Sequence, residues 1–469
     1  MGAELWRWQA CDLAHAIRTR QISAREAVTS CLDRLEQVNP QINAVVDLLA
    51  TEALEAADRA DRAVATGEAL GALHGVPVTY KINMDYAGRA TTNGVVAFKD
   101  NVAKSDNPAI ANWRKAGAIG IGRTNVPPFS ARFFTSNALH GRTLNPWNPR
   151  ITPGGSTGGG AAAVASGIGP LAHGSDRAGS IRYPAYACGI LGLRPTIGRI
   201  PTFNSSAPAD PSLATQITHT QGPLARTVRD LRLGFETMAA GDPRDPWWVP
   251  APIAGHPRPR ACTVALFAKN PGAETDPAVV EALRSAARWL EDAGYRIEEA
   301  EPPHFEEIAR LFFTMVRSEE RSTTTSAIDR LGDDQLRKAR ASTMAYASQL
   351  DYDGYIAAFG RRATILRQWM VFFERYPLLL MPVSSLKPVP LDYDQQGDAA
   401  VARMLTAHHP MLAVSMLGLP GLAVPTGQVD ETPLGVQLVA GRFREDICLA
   451  AAEVIEARSP AVTPIEPRH

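Results

Sequence analysis

Gly154-Gly-Ser-Thr-Gly-Gly-Gly160 runs into Ala161-Ala-Ala-Val-Ala165, and nine residues later Gly174-Ser-Asp-Arg-Ala-Gly-Ser180-Ile-Arg182 begins a second glycine- and serine-bearing stretch. By itself the first stretch admits three readings. Glycine serves tight backbone turns, so a plain loop needs no function. Gly158-x-Gly160-x-x-Ala163 fits the dinucleotide-binding fingerprint, and Gly154-x-Ser156-x-Gly158 fits the nucleophile elbow, which would make Ser156 the attacking group. Both motifs require a strand immediately before them. Asn148-Pro-Arg-Ile-Thr-Pro153 is a poor strand, because its prolines cannot donate to a ladder.

The flanking sequence alternates between helix and strand. Ser23-Ala-Arg-Glu26 is a capping box opening an amphipathic helix, with Val28, Cys31, Leu32, Leu35 and Val38 at helical spacing and Asn39-Pro40 as its stop. Residues 51–66 continue in alanine-rich helical style. His74-Gly-Val-Pro-Val-Thr-Tyr80 is patterned as a short buried strand with Lys81 at its end. A helix ending at Gly117 precedes the strand-like Ala-Ile-Gly-Ile-Gly122. Residues 161–165 read as a short helix between two irregular loops, 153–160 and 170–176. Six prolines between 242 and 260, Pro257 and Pro259 among them, suggest an extended crossing. Asp276-Pro277 starts a helix that Gly294 ends, Tyr295-Arg-Ile-Glu-Glu299 alternates like a strand, and 305–375 reads as mostly helical. Gly421–Pro425 and Leu434–Val439 return to strand. This pattern predicts an α/β fold with a mixed or parallel sheet covered by helices.

Composition narrows the function classes. A 45% hydrophobic and 20% charged content is that of a globular chain, and 48 basic residues balance 48 acidic ones, so no net charge favours nucleic acid or an acidic membrane. The five cysteines are widely separated and form no CxxC pair, which argues against a disulfide framework or a zinc site. No basic segment followed by an apolar run opens the chain, no stretch reaches the length of a membrane helix, and Trp6 stands where a myristoylation signal needs Ser or Thr. The expected setting is cytoplasmic.

The two loops taken together resemble the amidase signature family. Its first signature is matched by Gly154 to Ala165, its second by Gly174 to Ala185 continuing through Cys188-Gly-Ile-Leu-Gly-Leu-Arg-Pro-Thr196. Gly75-Val-Pro-Val-Thr-Tyr-Lys81 looks like the family's strand ending in a catalytic lysine. Gly222-Pro-Leu-Ala-Arg226 with Asp230, and Gly418 to Thr426, are similar to further family segments. Three positions agree at once: a lysine 75 residues before one serine and a second serine 24 residues after it.

The resemblance implies a single domain over 1–469, with a signature core at 70–230 and a variable, pocket-forming region at 240–400. The expected architecture is a mixed central sheet with helices on both faces. The resemblance makes Lys81 the base, Ser156 the bridging serine on a cis peptide after Gly155, and Ser180 the nucleophile of an acyl-enzyme route. It places an oxyanion hole at the amides of Arg177, Ala178, Gly179 and Ser180. Where the family usually has Thr-Gly-Gly-Ser, this chain has Arg177-Ala178-Gly179-Ser180, putting a methyl and a long cation at the pocket wall. Thr157 replaces a second serine, and Ile82 follows Lys81 where many relatives carry Asp. Asp176 and Arg182 bracket the nucleophile and are expected to organise its loop. A lysine base must be tuned from about 10.4 to about 7–8 by burial or a cationic neighbour.

The implied activity is hydrolysis of amides without a cofactor or metal. His408-His409 lacks the carboxylate and spacing of a metal pair, and Cys188 reads as packing. The alternatives are carbamates, esters, a silent binding protein and a glutamine-hydrolysing transamidation subunit. Phe312, Phe313, Met315, Trp369, Phe372, Phe373, Trp247 and Trp248 favour aryl or apolar small-molecule amides over glutamine. Neither a nucleic-acid nor a membrane partner is expected, and the sequence leaves the oligomeric state open.

Overall fold

Eleven strands form one mixed sheet in a computed structural model that describes residues 4–207, 210–254, 262–319, 323–460 and 463–468, the side chains of 323–326 excepted. In chain order the strands are β1 Val45–Leu48, β2 Pro77–Lys81, β3 Ile119–Thr124, β4 Leu171–Asp176, β5 Leu191–Arg194, β6 Thr220–Ala225, β7 Thr263–Leu266, β8 Arg296–Glu299, β9 Leu378–Pro382, β10 Gly421–Val429 and β11 Thr432–Ala440. Their spatial order is β1-β3-β2-β4-β6-β5-β10-β11-β9-β7-β8. β2 runs parallel to both β3 and β4, β9 and β8 run parallel to β7, and the remaining neighbours are antiparallel.

Both faces of this sheet are covered. Leu378 and Leu380 of β9 join the core that holds Leu283 and Leu449, while Leu379 and Met381 join the core that holds Phe312 and Trp369. Leu171 and Ala172 of β4, and Leu438 and Val439 of β11, divide the same way. Period-two alternation of apolar residues on both faces is what a sheet sandwiched by helices requires. The first layer includes helices Ala24–Ile42, Pro277–Asp292 and Glu445–Glu456, and the second includes Phe305–Ser318, Tyr352–Arg375 and His409–Leu417.

Two local expectations are corrected. The helix from Ala24 passes through Pro40 and ends at Ile42, with Asn43 left-handed. Asn39 makes this possible: its side-chain oxygen accepts the Ala44 and Val45 amides at 2.9 and 2.8 Å, closing the terminus one turn later. The stretch 170–176 is not an irregular loop but contains β4, buried throughout at the middle of the sheet. Its Gly, His and Ser residues carry little strand propensity, and pairing with β2 and β6 overrides it. The capping box at Ser23 and Glu26 forms as read. Of the proline-rich crossing, Pro257 and Pro259 lie outside the described residues.

Candidate active site

β2 delivers Lys81 to the interior as its last residue, and every side chain of the strand is buried. The Lys81 ammonium nitrogen stands 2.7 Å from Ser156 Oγ and 3.0 Å from Ser175 Oγ, with the Ser175 carbonyl at 3.5 Å. Burial pulls its pKa down to about 7, against the opposing pull of Asp176, which favours the charged form. Desolvation rather than a cationic neighbour thus does the tuning, and it brings the neutral form of Lys81 within reach at neutral pH.

The loop before Ser156 is held from two sides. Thr135 Oγ1 donates to the Gly154 carbonyl at 2.8 Å, and the Gly154 amide donates to Thr152 Oγ1 at 3.0 Å. The Gly155–Ser156 peptide is cis. Gly155 is required by contact, because a Cβ there would lie 2.4 Å from the Arg132 carbonyl oxygen. The fully buried helix Gly158–Ala165 follows at once. Thr157, at its start, donates its amide to the Ser180 carbonyl at 3.2 Å, which joins the two signature loops directly after one serine and at the other. Its hydroxyl donates to the Ser175 carbonyl at 3.4 Å.

β4 ends in Ser175 and Asp176, and the turn to Ser180 is built around the Asp176 carboxylate. That carboxylate accepts the Gly179 amide at 2.8 Å and the Ile181 amide at 3.2 Å, two Arg182 N–H groups at 3.0 Å each, and Arg194 Nη1 at 3.2 Å. Burial alone would raise the Asp176 pKa, but the Arg182 and Arg194 guanidiniums hold it well below the usual carboxylate range. Arg182 reaches on to Gln437 at 2.6 Å and Ser415 at 2.8 Å, so the loop is anchored to β11 and to helix His409–Leu417. The supporting roles expected of Asp176 and Arg182 have this geometry.

Ser180 is 8% exposed and lines a cavity of about 150 Å³ with Arg177, Ala178, Phe133, Phe312 and Phe313. Among the described residues the Ser180 hydroxyl makes no hydrogen bond to Ser156. Catalytic contacts of this kind often close only around substrate. Of the four amides expected to form the oxyanion hole, that of Gly179 donates to Asp176 Oδ1 at 2.8 Å, a charge-assisted hydrogen bond. Gly179 has φ +116°, and a Cβ there would strike Met411 Sδ at 2.5 Å, so only glycine turns the chain at that point.

Of the aromatic residues singled out for the pocket, Phe312 and Phe313 line it. Trp369 is fully buried and donates its indole N–H to the Pro303 carbonyl at 2.7 Å, and Met315 and Phe373 are core residues. Phe372 packs against Phe373 and Tyr376 instead. Trp247 is 61% exposed, and Trp248 covers Gly241 with its N–H on the Ala239 carbonyl. Helical spacing showed which of these share a face, but not whether that face meets the core or the cavity. The sequence does not single out Ser175, because the strand that carries it reads as a loop. Its position opposite Lys81 depends on the β2–β4 pairing, which no local signal announces. Cys188 is buried, as its packing role requires. Among the described residues no three metal-ligating side chains gather, and no helix is long and apolar enough to cross a membrane.

The family model described as Amidase matches residues 26–449. Indoleacetamide hydrolase of Bradyrhizobium diazoefficiens is 46% identical over 97% of this chain and 87% of its own length. A glutamyl-tRNA(Gln) amidotransferase subunit of Moorella thermoacetica is 32% identical over 97% of both chains. A bacterial aryl acylamidase belonging to the amidase signature enzymes matches with a TM-score of 0.82 at 26% identity, over 99% of this chain and 98% of that one.

Proposed function

The chain belongs to the amidase family, and from that premise we propose that its hydrolysis of amide C–N bonds runs through Lys81, Ser156 and Ser180. The observation that carries this reading is the buried Lys81 nitrogen 2.7 Å from Ser156 Oγ, its pKa brought to about 7. Neutral Lys81 takes the Ser156 proton as Ser156 takes that of Ser180, and Ser180 Oγ attacks the carbonyl carbon. The amides of Arg177, Ala178 and Ser180 hold the resulting oxyanion, while that of Gly179 keeps the loop in shape through Asp176. Collapse expels the amine, which collects the proton returning through Ser156. Water then cleaves the acyl-enzyme by the same relay.

The substrate class in this reading is a small aryl or apolar amide. The Phe133, Phe312 and Phe313 wall beside Ser180 supports it, as does the greater identity to indoleacetamide hydrolase than to the amidotransferase. Indole-3-acetamide is therefore the first substrate to try. Carbamates and esters with the same apolar acyl side fit the same acyl-enzyme chemistry. The reading treats 1–469 as one catalytic domain in which 240–400 contributes pocket residues, and it places the enzyme in the cytoplasm. Release of ammonia from indole-3-acetamide by the purified protein, abolished in Ser180→Ala, is the test.

A further inference from the structure

Among the described residues, four charged side chains that the relay does not use line the cavity beside Ser180. Arg177 is in its wall, three residues before the nucleophile, and so is Glu319, which follows the helix Phe305–Ser318. Arg132 and Arg340 also line the cavity, but each is held by a carboxylate, Asp394 and Asp329 respectively. Arg177 differs. Among the described residues its guanidinium makes no hydrogen bond or ion pair, and its Nε is buried without a partner. One face is covered by Phe312, whose ring centroid is 5.9 Å from Cζ. A buried N–H without an acceptor is costly, and the rest of the guanidinium faces the cavity, so a group for it to meet there is implied.

Glu319 is held in place. One of its oxygens accepts the Ala214 amide at 2.8 Å and the Tyr355 hydroxyl at 2.5 Å, which leaves the second without a partner among the described residues. Glu319 acts electrostatically on Arg177, yet the two do not close into an ion pair. Together they offer one cationic face and one fixed acceptor. Their opposite charges disfavour an isolated ion of either sign. A neutral aromatic ring with a polar N–H satisfies both: its negative π face suits the guanidinium and its N–H suits the carboxylate. A cavity of about 150 Å³ is large enough for an aromatic ring.

We propose that Arg177 and Glu319 are specificity-determining residues that read the acyl side of the substrate, Arg177 stacking on an electron-rich aromatic ring and Glu319 accepting that ring's N–H. The inference rests on the amidase reading and names its preferred substrates as amides of N–H heteroaryl acids. Arg177, sandwiched between Phe312 and the substrate ring, would thereby gain the contact it lacks among the described residues.

The test compares kcat/KM of the wild-type enzyme for indole-3-acetamide, 1-methylindole-3-acetamide and 1-naphthaleneacetamide. The N–H amide is expected to lead both others by about 10- to 100-fold, the scale of a lost hydrogen bond to a charged acceptor. Glu319→Ala should collapse that ratio toward unity. Arg177→Met should raise KM for all three by about tenfold and keep the N–H preference. The wild-type comparison stands even if Glu319→Ala does not fold. Equal turnover of the indole and its N-methyl analogue would overturn the inference and leave the amidase reading intact. A better rate on succinamate would overturn it too, because the guanidinium would then be reading an anion. Hydrolysis of none of these amides would remove the aryl-amide substrate reading, and the inference with it.

Discussion

Asp176 Oδ1 accepts the Gly179 amide at 2.8 Å, so the carboxylate that ends β4 dictates the turn leading to Ser180. The same carboxylate is locked between Arg182 and Arg194, all three side chains being fully buried. This arrangement commits the Gly179 and Ile181 amides to the turn that carries Ser180.

Asp176→Asn is therefore expected to destabilise the protein by about 3–5 kcal/mol, the cost of leaving buried guanidiniums without their counter-charge. The Asp176 carboxyl is held below its ordinary range, so its contribution to stability is fully present above the unfolded value of about 3.9 and is lost as pH falls below it. Urea titrations of both proteins at pH 7 and at about pH 2.5 measure this; a difference that grows toward low pH would contradict it.

Ser180→Ala should lower kcat/KM by at least about 10⁴-fold and block labelling by a fluorophosphonate, because the attacking oxygen is gone. Intact mass after labelling reads the result. A stable adduct on Ser156 in the wild type would instead support the nucleophile-elbow alternative.

The Lys81 pKa of about 7 gives the pH profile its sign. Below it the ammonium form cannot accept a proton, so kcat/KM should climb as pH rises through about 7 and level off above. Lys81→Ala should cost about 10²- to 10⁴-fold on amides and remove that limb. An unchanged profile in the variant would assign the base elsewhere.

Ser175→Ala removes one of the two hydroxyls around the Lys81 nitrogen. We expect a fall of about tenfold in kcat, and a shift of the ascending limb to lower pH, since the ammonium form loses a hydrogen-bond acceptor. Rate–pH curves of the two proteins decide it; a limb moved upward would count against this role.

With an apolar wall of Phe133, Phe312 and Phe313, the cavity should favour a nitroanilide or nitrophenyl carbamate over glutamine. Parallel kcat/KM measurements test this, and faster ammonia release from glutamine would overturn it.

The positions of Lys81, Ser156 and Ser180 were legible in the chain because their spacing and glycine contexts are local properties: a lysine at a strand end, and glycines where a side chain would strike backbone. The capping box at Ser23, the helix stop at Gly294 and the strand after it were legible for the same reason. Other features depended on contacts between distant segments. Ser175 faces Lys81 only because β4 pairs with β2, and β4 itself forms because its neighbours supply hydrogen bonds that its Gly, His and Ser residues would not favour alone. The Gly179 amide is spent on Asp176 because the turn folds back on its own strand end. Phe312 reaches the cavity while Trp369 fills the core, although both read as apolar faces of helices. The sequence by itself determined the residue types the chemistry needs and their local conformations. The tertiary structure decided which of them meet, because strand pairing and the burial that brings Lys81 to about 7 are set by segments far apart in the chain.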